Sequence, residues 1–217
     1  MDFAGQIRAA RAFLNLTQEQ LAAQADLSLQ GMQKVERGES QPTARTQRKI
    51  RAALEQRGVT FTDGGIQYSE FPIYFLRGET HEDAYLQLLN DAYAHLKEQK
   101  NKELLIMYAD DSVSPPSVNN FYRMMRADGI RMRQLVEAGN TYIIGPLDEY
   151  RYIPKPYFIN RVTLIYGDRI AWESGDVLKT IVRVDPVGTE IQRNTFNLLW
   201  SVLDKPVTTT AKEHFND

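Results

Sequence analysis

Over residues 1–57 the apolar positions recur at three- and four-residue spacing. Ile7, Ala10, Phe13 and Leu14 share one face with Arg8 and Arg11 off it, which predicts a helix of about two turns. Thr17-Gln18-Glu19-Gln20 is a capping box that opens a second helix, whose Leu21, Ala22 and Ala25 point inward. The pattern breaks at Asp26-Leu27. Ser28 supplies the next N-cap, Met32 and Val35 repeat the inward spacing, and Gly38 closes this third helix. Pro42-Thr43 starts a fourth, with Ile50, Ala53 and Leu54 inward and Gly58 at its end.

Beyond residue 60 strand-like and helix-like runs alternate. Ala84, Tyr85, Leu88, Leu89, Ala92 and Leu96 predict a long helix from Thr80 to near Lys100. A strand from Glu103 to Ala109, a Pro-Pro loop, a helix from Ser117 to Ala127 and a strand from Ile130 to Val136 form a βαβ unit. Arg161 to Ile165 and Arg169 to Trp172 flank Tyr166-Gly167-Asp168 as a hairpin. Leu178 to Val184 is a further strand, and Glu190 to Leu203 a closing amphipathic helix with Phe196 and Trp200. The turn residues of Gly58–Gly65 read as a linker. The expected organisation is an all-α helix-turn-helix domain over 1–66, an α/β domain over 67–205 and a frayed tail over 206–217.

Composition narrows the function classes. With 217 residues, 42% hydrophobic and 25% charged, the chain has the make-up of a folded globular protein. The absence of cysteine removes disulfides, thiolate nucleophiles and Cys-ligated zinc. The longest apolar runs, such as 104–109, fall far short of the roughly 20 residues of a membrane helix, and no signal pattern opens the chain. A cytoplasmic protein without membrane or cofactor is expected. The net charge of −2 hides a split: residues 1–66 carry 9 Lys+Arg against 7 Asp+Glu, and 67–217 carry 17 against 21.

The two short helices around Asp26 have helix-turn-helix periodicity, in which the second lies in the major groove and the first crosses the backbone. With Met32 and Val35 inward, Ser28, Leu29, Gln30, Gln33 and Lys34 project outward as base-reading candidates. Gln30 and Gln33 suit adenine, Lys34 suits guanine and Leu29 a thymine methyl. Gln18, Arg8, Arg11 and Arg37 are the phosphate-holding candidates. Ile7-Arg8-x-x-Arg11, Leu16-Thr17-Gln18-Glu19-x-Leu21-Ala22, Leu27-Ser28, Val35-Glu36-Arg37-Gly38-x-x-x-Pro42 and Ala53-Leu54-Glu55-x-x-Gly58-Val59 together resemble the xenobiotic-response-element (XRE) type of helix-turn-helix regulators, which include lambdoid repressors. Asp26 stands where Gly is commonest in the turn, and Gly31 where Ser or Thr is usual. Glu36 reads as a structural hydrogen-bonding group. Arg45, Arg48, Lys49 and Arg51 fit either a solvated face or a second basic surface, and the lesser alternative for Leu29 is packing on a partner subunit.

The second half carries Gly129-Ile130-x-x-Arg133, Arg151-x-x-Pro154, Leu164 to Ala171 and Phe196-x-x-Leu199-Trp200. These resemble the phospholipase-D-like sensor domain of TrmB-type transcription regulators. Active phospholipase-D relatives use His-x-Lys-x4-Asp, and that resemblance puts Ile159, Arg161 and Tyr166 at those three positions, so the nucleophile is missing. His95-Leu96-Lys97 has no Asp at the needed spacing and reads as a solvent-facing part of its helix, while His81 and His214 are isolated. No catalytic constellation results. Asp110-Asp111 could bind a cation or cap the following loop, and Arg151, Arg161 and Arg183 could bind an anion or balance acidic surface.

The reading that unites both halves is a non-enzymatic, dimeric transcription regulator. It binds double-stranded DNA at a palindromic operator, most simply as a repressor, and its second domain senses a small-molecule or protein effector or mediates dimerisation. The alternative is a mobile-element or antitoxin-type regulator whose second domain binds a partner protein.

Overall fold

In the computed structural model, which describes residues 1–69 and 72–212, the chain divides into two units, 1–75 and 76–217. The first is built from α1 (Phe3–Phe13), α2 (Gln18–Gln24), α3 (Leu29–Arg37), α4 (Ala44–Glu55) and a hairpin of β1 (Val59–Thr62) and β2 (Gly65–Tyr68). Each helix is started by a short oxygen-bearing side chain that accepts from an otherwise orphaned backbone N–H: Asp2, Thr17, Ser28 and Thr43. The capping box at Thr17 is complete, with Gln20 Oε1 accepting from the Thr17 N–H at 2.9 Å. Asp26 adopts the left-handed conformation that the turn requires, at φ 48°, and Gly38 ends α3 in the same region.

The fully buried core of this unit includes Ile7, Leu21, Met32, Ile50, Leu54 and Val59. Phe13 is a correction: it is 56% exposed and rests on Tyr68 with ring centroids 4.8 Å apart. At 100° per residue it lies about 120° from Ile7, which takes it off the inward face. The segment Gly58–Gly65 is also not a linker. Asp63-Gly64 is the two-residue turn of the hairpin, and Val59 and Phe61 return the chain to the helical core. Gly58, at φ 91°, makes the entry, and a Cβ there would stand 2.2 Å from the Ser69 carbonyl oxygen.

The second unit is α/β. Its sheet contains β3 (Ile73–Arg77), within which the boundary at 75/76 falls, β4 (Glu103–Met107), β5 (Arg131–Glu137), β6 (Tyr150–Ile153), β7 (Thr163–Tyr166), β8 (Arg169–Glu173) and β9 (Lys179–Val184), in the order β3-β9-β8-β7-β4-β5-β6. β4, β5 and β6 run parallel, whereas β7, β8 and β9 alternate antiparallel from β4. The helices are α5 (His81–Leu96), α6 (Pro116–Ala127) and α7 (Pro186–Val202). Side chains alternate across the sheet. Leu105, Leu135 and Ile165 meet Phe196 of α7 on one face, and Tyr166 points to the other, where its hydroxyl donates to Asp91 of α5 at 2.6 Å. α6 joins α5 there through the Tyr85–Tyr122 hydroxyl pair, 2.7 Å apart.

The β4–α6–β5 unit, the β7–β8 hairpin and β9 stand where the periodicity puts them. α7 starts earlier, at Pro186, behind an Asp185 cap. The tail is a second correction as far as residue 210, while 213–217 lie outside the described residues. Tyr152 of β6 donates its N–H to the Asp204 carbonyl, Thr209 Oγ1 donates to the Ile143 carbonyl at 2.6 Å, and the Thr210 N–H donates to the Thr141 carbonyl at 2.8 Å, so 204–210 touches β6 at Asp204 and then follows the loop around 141–143. No helix among the described residues is long and apolar enough to cross a membrane.

Gln6 ties the hairpin to α1. Its buried amide donates to the Thr62 and Gly65 carbonyls at 2.7 and 2.9 Å. Gln6→Ala is expected to lower the stability of the first unit by about 2 kcal/mol in urea unfolding.

Candidate nucleic-acid interface

What α3 presents depends on how its other side is held. Glu36 lies in the last turn of α3 and is 2% exposed. Its carboxylate accepts from Arg11 Nε at 2.8 Å and from Gln18 Nε2 at 2.7 Å, while Arg8 donates to its backbone carbonyl. Arg11 also donates to the Leu16 carbonyl at 2.8 Å. A buried carboxylate needs such partners, and these come from α1 and α2. The expectation of phosphate contacts at Arg11 and at the Gln18 side chain therefore gives way to an internal role, because the sequence does not show the long-range partner Glu36.

The opposite side of α3 is open. Leu29 is 40% exposed, and Gln30 and Lys34 are exposed with no side-chain hydrogen-bond partner among the described residues. Lys34 lies one turn beyond Gln30, so the two stand in line on one edge of the helix. Gln33 is half-buried and within 3.5 Å of Arg37 Nη2, and Arg37 also pairs with Glu39 at 3.1 Å. The Ser28 hydroxyl accepts from the Gly31 N–H, so its first task is the cap. A Cβ at residue 31 would meet that oxygen at 3.0 Å, which gives the unusual Gly31 a local reason.

Lys49 and Arg51 of α4 are engaged by other side chains of the unit. Lys49 donates to the Asp26 carboxylate at 2.6 Å and holds that carboxyl below its ordinary range. Arg51 lies over the Phe3 and Phe61 rings, 5.1 and 4.4 Å from their centroids. Arg45 remains exposed, and Arg48 is exposed but engaged.

In the second unit a cavity of about 120 Å³ opens beyond the carboxyl end of β4, lined by His81, Glu82, Tyr85, Asp110, Arg161 and Glu173 among others. His81 is not isolated: its Nε2 lies 2.7 Å from Glu173. Asp110 caps the next turn through the Ser112 N–H and hydroxyl and accepts from Asn140. Asp111 turns inward, accepting from the Ile144 N–H and the Tyr150 hydroxyl at 2.9 Å each, and burial pushes its pKa up. No group of three or more His, Asp or Glu side chains among the described residues is placed to hold a metal ion. Arg151, Arg161 and Arg183 do not converge. Arg151 stacks over Trp200, Arg183 pairs with Asp185 at 2.6 Å, and their strands stand five sheet spacings apart, roughly 24 Å.

Ile159 is exposed, Arg161 reaches the cavity, and Tyr166 is buried. His95 is a correction, since it is packed rather than solvent-facing. It lies over the β7–β8 turn with Nε2 3.2 Å from Asp168, and Gly167, at φ 54°, leaves room for the ring: a Cβ there would fall 2.2 Å from Nε2. Helical periodicity alone cannot place a side chain that reaches beyond its helix to a turn. Burial and the neighbouring Arg169 lower the His95 pKa, outweighing Asp168 and Asp91. His214 lies outside the described residues.

The helix-turn-helix family model matches residues 7–60. No curated protein matches the chain. Among solved structures it is similar to TrmBL2, described as an archaeal chromatin protein with a novel mode of DNA binding, at 13% identity and a TM-score of 0.40, over 62% of this chain and 54% of that one. It thus spans about half of that protein's length. It is also similar to the phospholipase D family member Nuc from Salmonella typhimurium, at 8% identity and 0.45, over 63% and 99%, and to NucT from Helicobacter pylori, at 9% and 0.44, over 62% and 98%.

Two outcomes follow from these geometries. Glu36→Ala leaves the half-buried Arg11 guanidinium without its carboxylate and is expected to cost about 2–3 kcal/mol in denaturant unfolding, with Glu36→Gln costing less. Because the folded state lowers the His95 pKa, it binds fewer protons there than the unfolded chain. Stability is therefore expected to fall as pH drops below the ordinary value of 6.5, and His95→Gln to flatten that part of the melting-temperature profile.

Proposed function

We propose that this chain, whose residues 7–60 are a helix-turn-helix domain, is a sequence-specific DNA-binding transcription regulator that acts as a homodimer on a palindromic operator, as a repressor, in the cytoplasm. The observation that carries the reading is the free edge of α3. Leu29, Gln30 and Lys34 are exposed on a helix whose other side is fixed by Glu36 and the core. Entering the major groove by its N-terminal end, α3 sets Gln30 against adenine, Lys34 against guanine and Leu29 against a thymine methyl, with Gln33 beside them. Arg8 and Arg37 at the rim, and the backbone N–H groups at Ser28 and Gln18, hold phosphates. Arg11 and the Gln18 side chain act as positioning residues. One head makes few base contacts, so two half-sites about 34 Å apart supply useful affinity.

The second unit serves to sense an effector or join subunits rather than to transfer phosphoryl groups. The cavity beyond β4 is the place for an effector, and the residue beside it where a histidine nucleophile would stand is Ile159.

Footprinting on DNA upstream of the encoding gene tests this. A protected palindrome is expected, with Gln30→Ala and Lys34→Ala each weakening binding about ten- to a hundredfold. Binding that is indifferent to sequence and unchanged in both variants would refute it.

A further inference from the structure

α7 is apolar on two opposite sides. Its inner side, centred on Phe196 and Trp200, packs on the sheet. Its outer side carries Val187, Ile191, Leu198 and Val202, which are 69, 58, 65 and 69% exposed. At 100° per residue these four fall within about 60° of one another, in a stripe about 22 Å long. Scattered apolar residues on a surface are ordinary, but four aligned along one helix are a patch of the kind that marks an interaction site. A helix that is apolar on both sides is normally covered on both.

The order of the side chains identifies the occupant. Val187 and Val202 are equidistant from the midpoint between Asn194 and Thr195, and so are Ile191 and Leu198. The stripe therefore reads the same in size and polarity from either end. A two-fold axis through that midpoint lays a second α7 antiparallel on the first. It brings Val187 against Val202 of the partner subunit and Ile191 against Leu198 of the partner subunit. An isologous interface demands this self-complementarity, and an unrelated partner does not.

We propose that the outer face of α7 is a homodimer interface, two copies pairing antiparallel about Asn194 and Thr195. The use of the dimer in reading two half-sites rests on the DNA-binding function proposed above; the stripe and its symmetry do not. A single helix pair covers less than the ~800 Å² per partner of a standard interface, so the free dimer is modest in affinity and DNA carrying both half-sites tightens it.

The full chain tests this directly, and its lack of cysteine makes the cross-linking unambiguous. Sedimentation should give twice the chain mass, and Leu198→Glu, at an exposed position, should raise the dimer dissociation constant at least a hundredfold with an unchanged circular dichroism spectrum. Under oxidation an equimolar mixture of Ile191→Cys and Leu198→Cys chains should form a covalent dimer. Either variant alone should not, because like residues stand about 10 Å apart along the axis, beyond disulfide reach. A monomeric wild type, a dimer indifferent to Leu198→Glu, or cross-linking of either single variant would overturn the proposal. A monomer that still protects one half-site defeats this interface and spares the DNA-binding reading. A dimer that protects no site defeats the DNA-binding reading and spares the interface.

Discussion

A carboxylate taken out of water at Glu36 organises the first unit. Its charge must be met by hydrogen-bond donors, and the donors belong to two other helices: Arg11 from α1 and Gln18 from the first turn of α2. Arg8 adds a bond to the carbonyl of the same residue. Three helices are thereby fixed at the polar end of the core, while Ile7, Leu21 and Met32 fix its apolar side. A core of aliphatic side chains tolerates some sliding, but a shared carboxylate with directional donors does not. The presentation of Gln30 and Lys34 is the far consequence of that anchoring.

The same anchoring changes the meaning of charge. Counting residues gives the first 66 positions a small positive balance, yet several of those cations are already matched within the protein, Arg11 by Glu36, Lys49 by Asp26 and Arg51 by the Phe3 and Phe61 rings. The positive surface is smaller and more local than the count suggests. In the second unit one set of buried polar groups is likewise mutually satisfied: Asp111, Tyr150 and Gln134 form a hydrogen-bonded chain. Asp111 is thus part of the scaffold, and Asp110 a cap.

What could be read from the sequence is what is decided locally. Thr17, Ser28 and Thr43 each announce a helix within three residues, Asp26 announces a left-handed turn, and the inward Met32 and Val35 settle which side of α3 is free. The βαβ unit is legible for the same reason. Elements completed by distant partners are not. β3 and β6 are short strands defined by their neighbours, the 59–68 hairpin hides behind residues that also make linkers, and the Arg11–Glu36 contact spans 25 positions. His95 has the spacing of a helix-surface residue, but its ring reaches a turn 72 positions away at Gly167.

The run of chain from Asp204 to Thr210, which meets β6 at Tyr152 and then follows the loop before it, has a consequence for how the protein behaves in a crowded solution. A bare outer strand offers a row of unsatisfied amides and carbonyls, on which another molecule can add a strand of its own. Here the chain supplies its own cover, with the Tyr152 amide already bonded to Asp204 and Thr210 to Thr141. On that side of the sheet, an arriving strand meets a segment already in place at Tyr152. A chain end that occupies part of its own sheet edge leaves fewer free amides and carbonyls for another molecule to pair with.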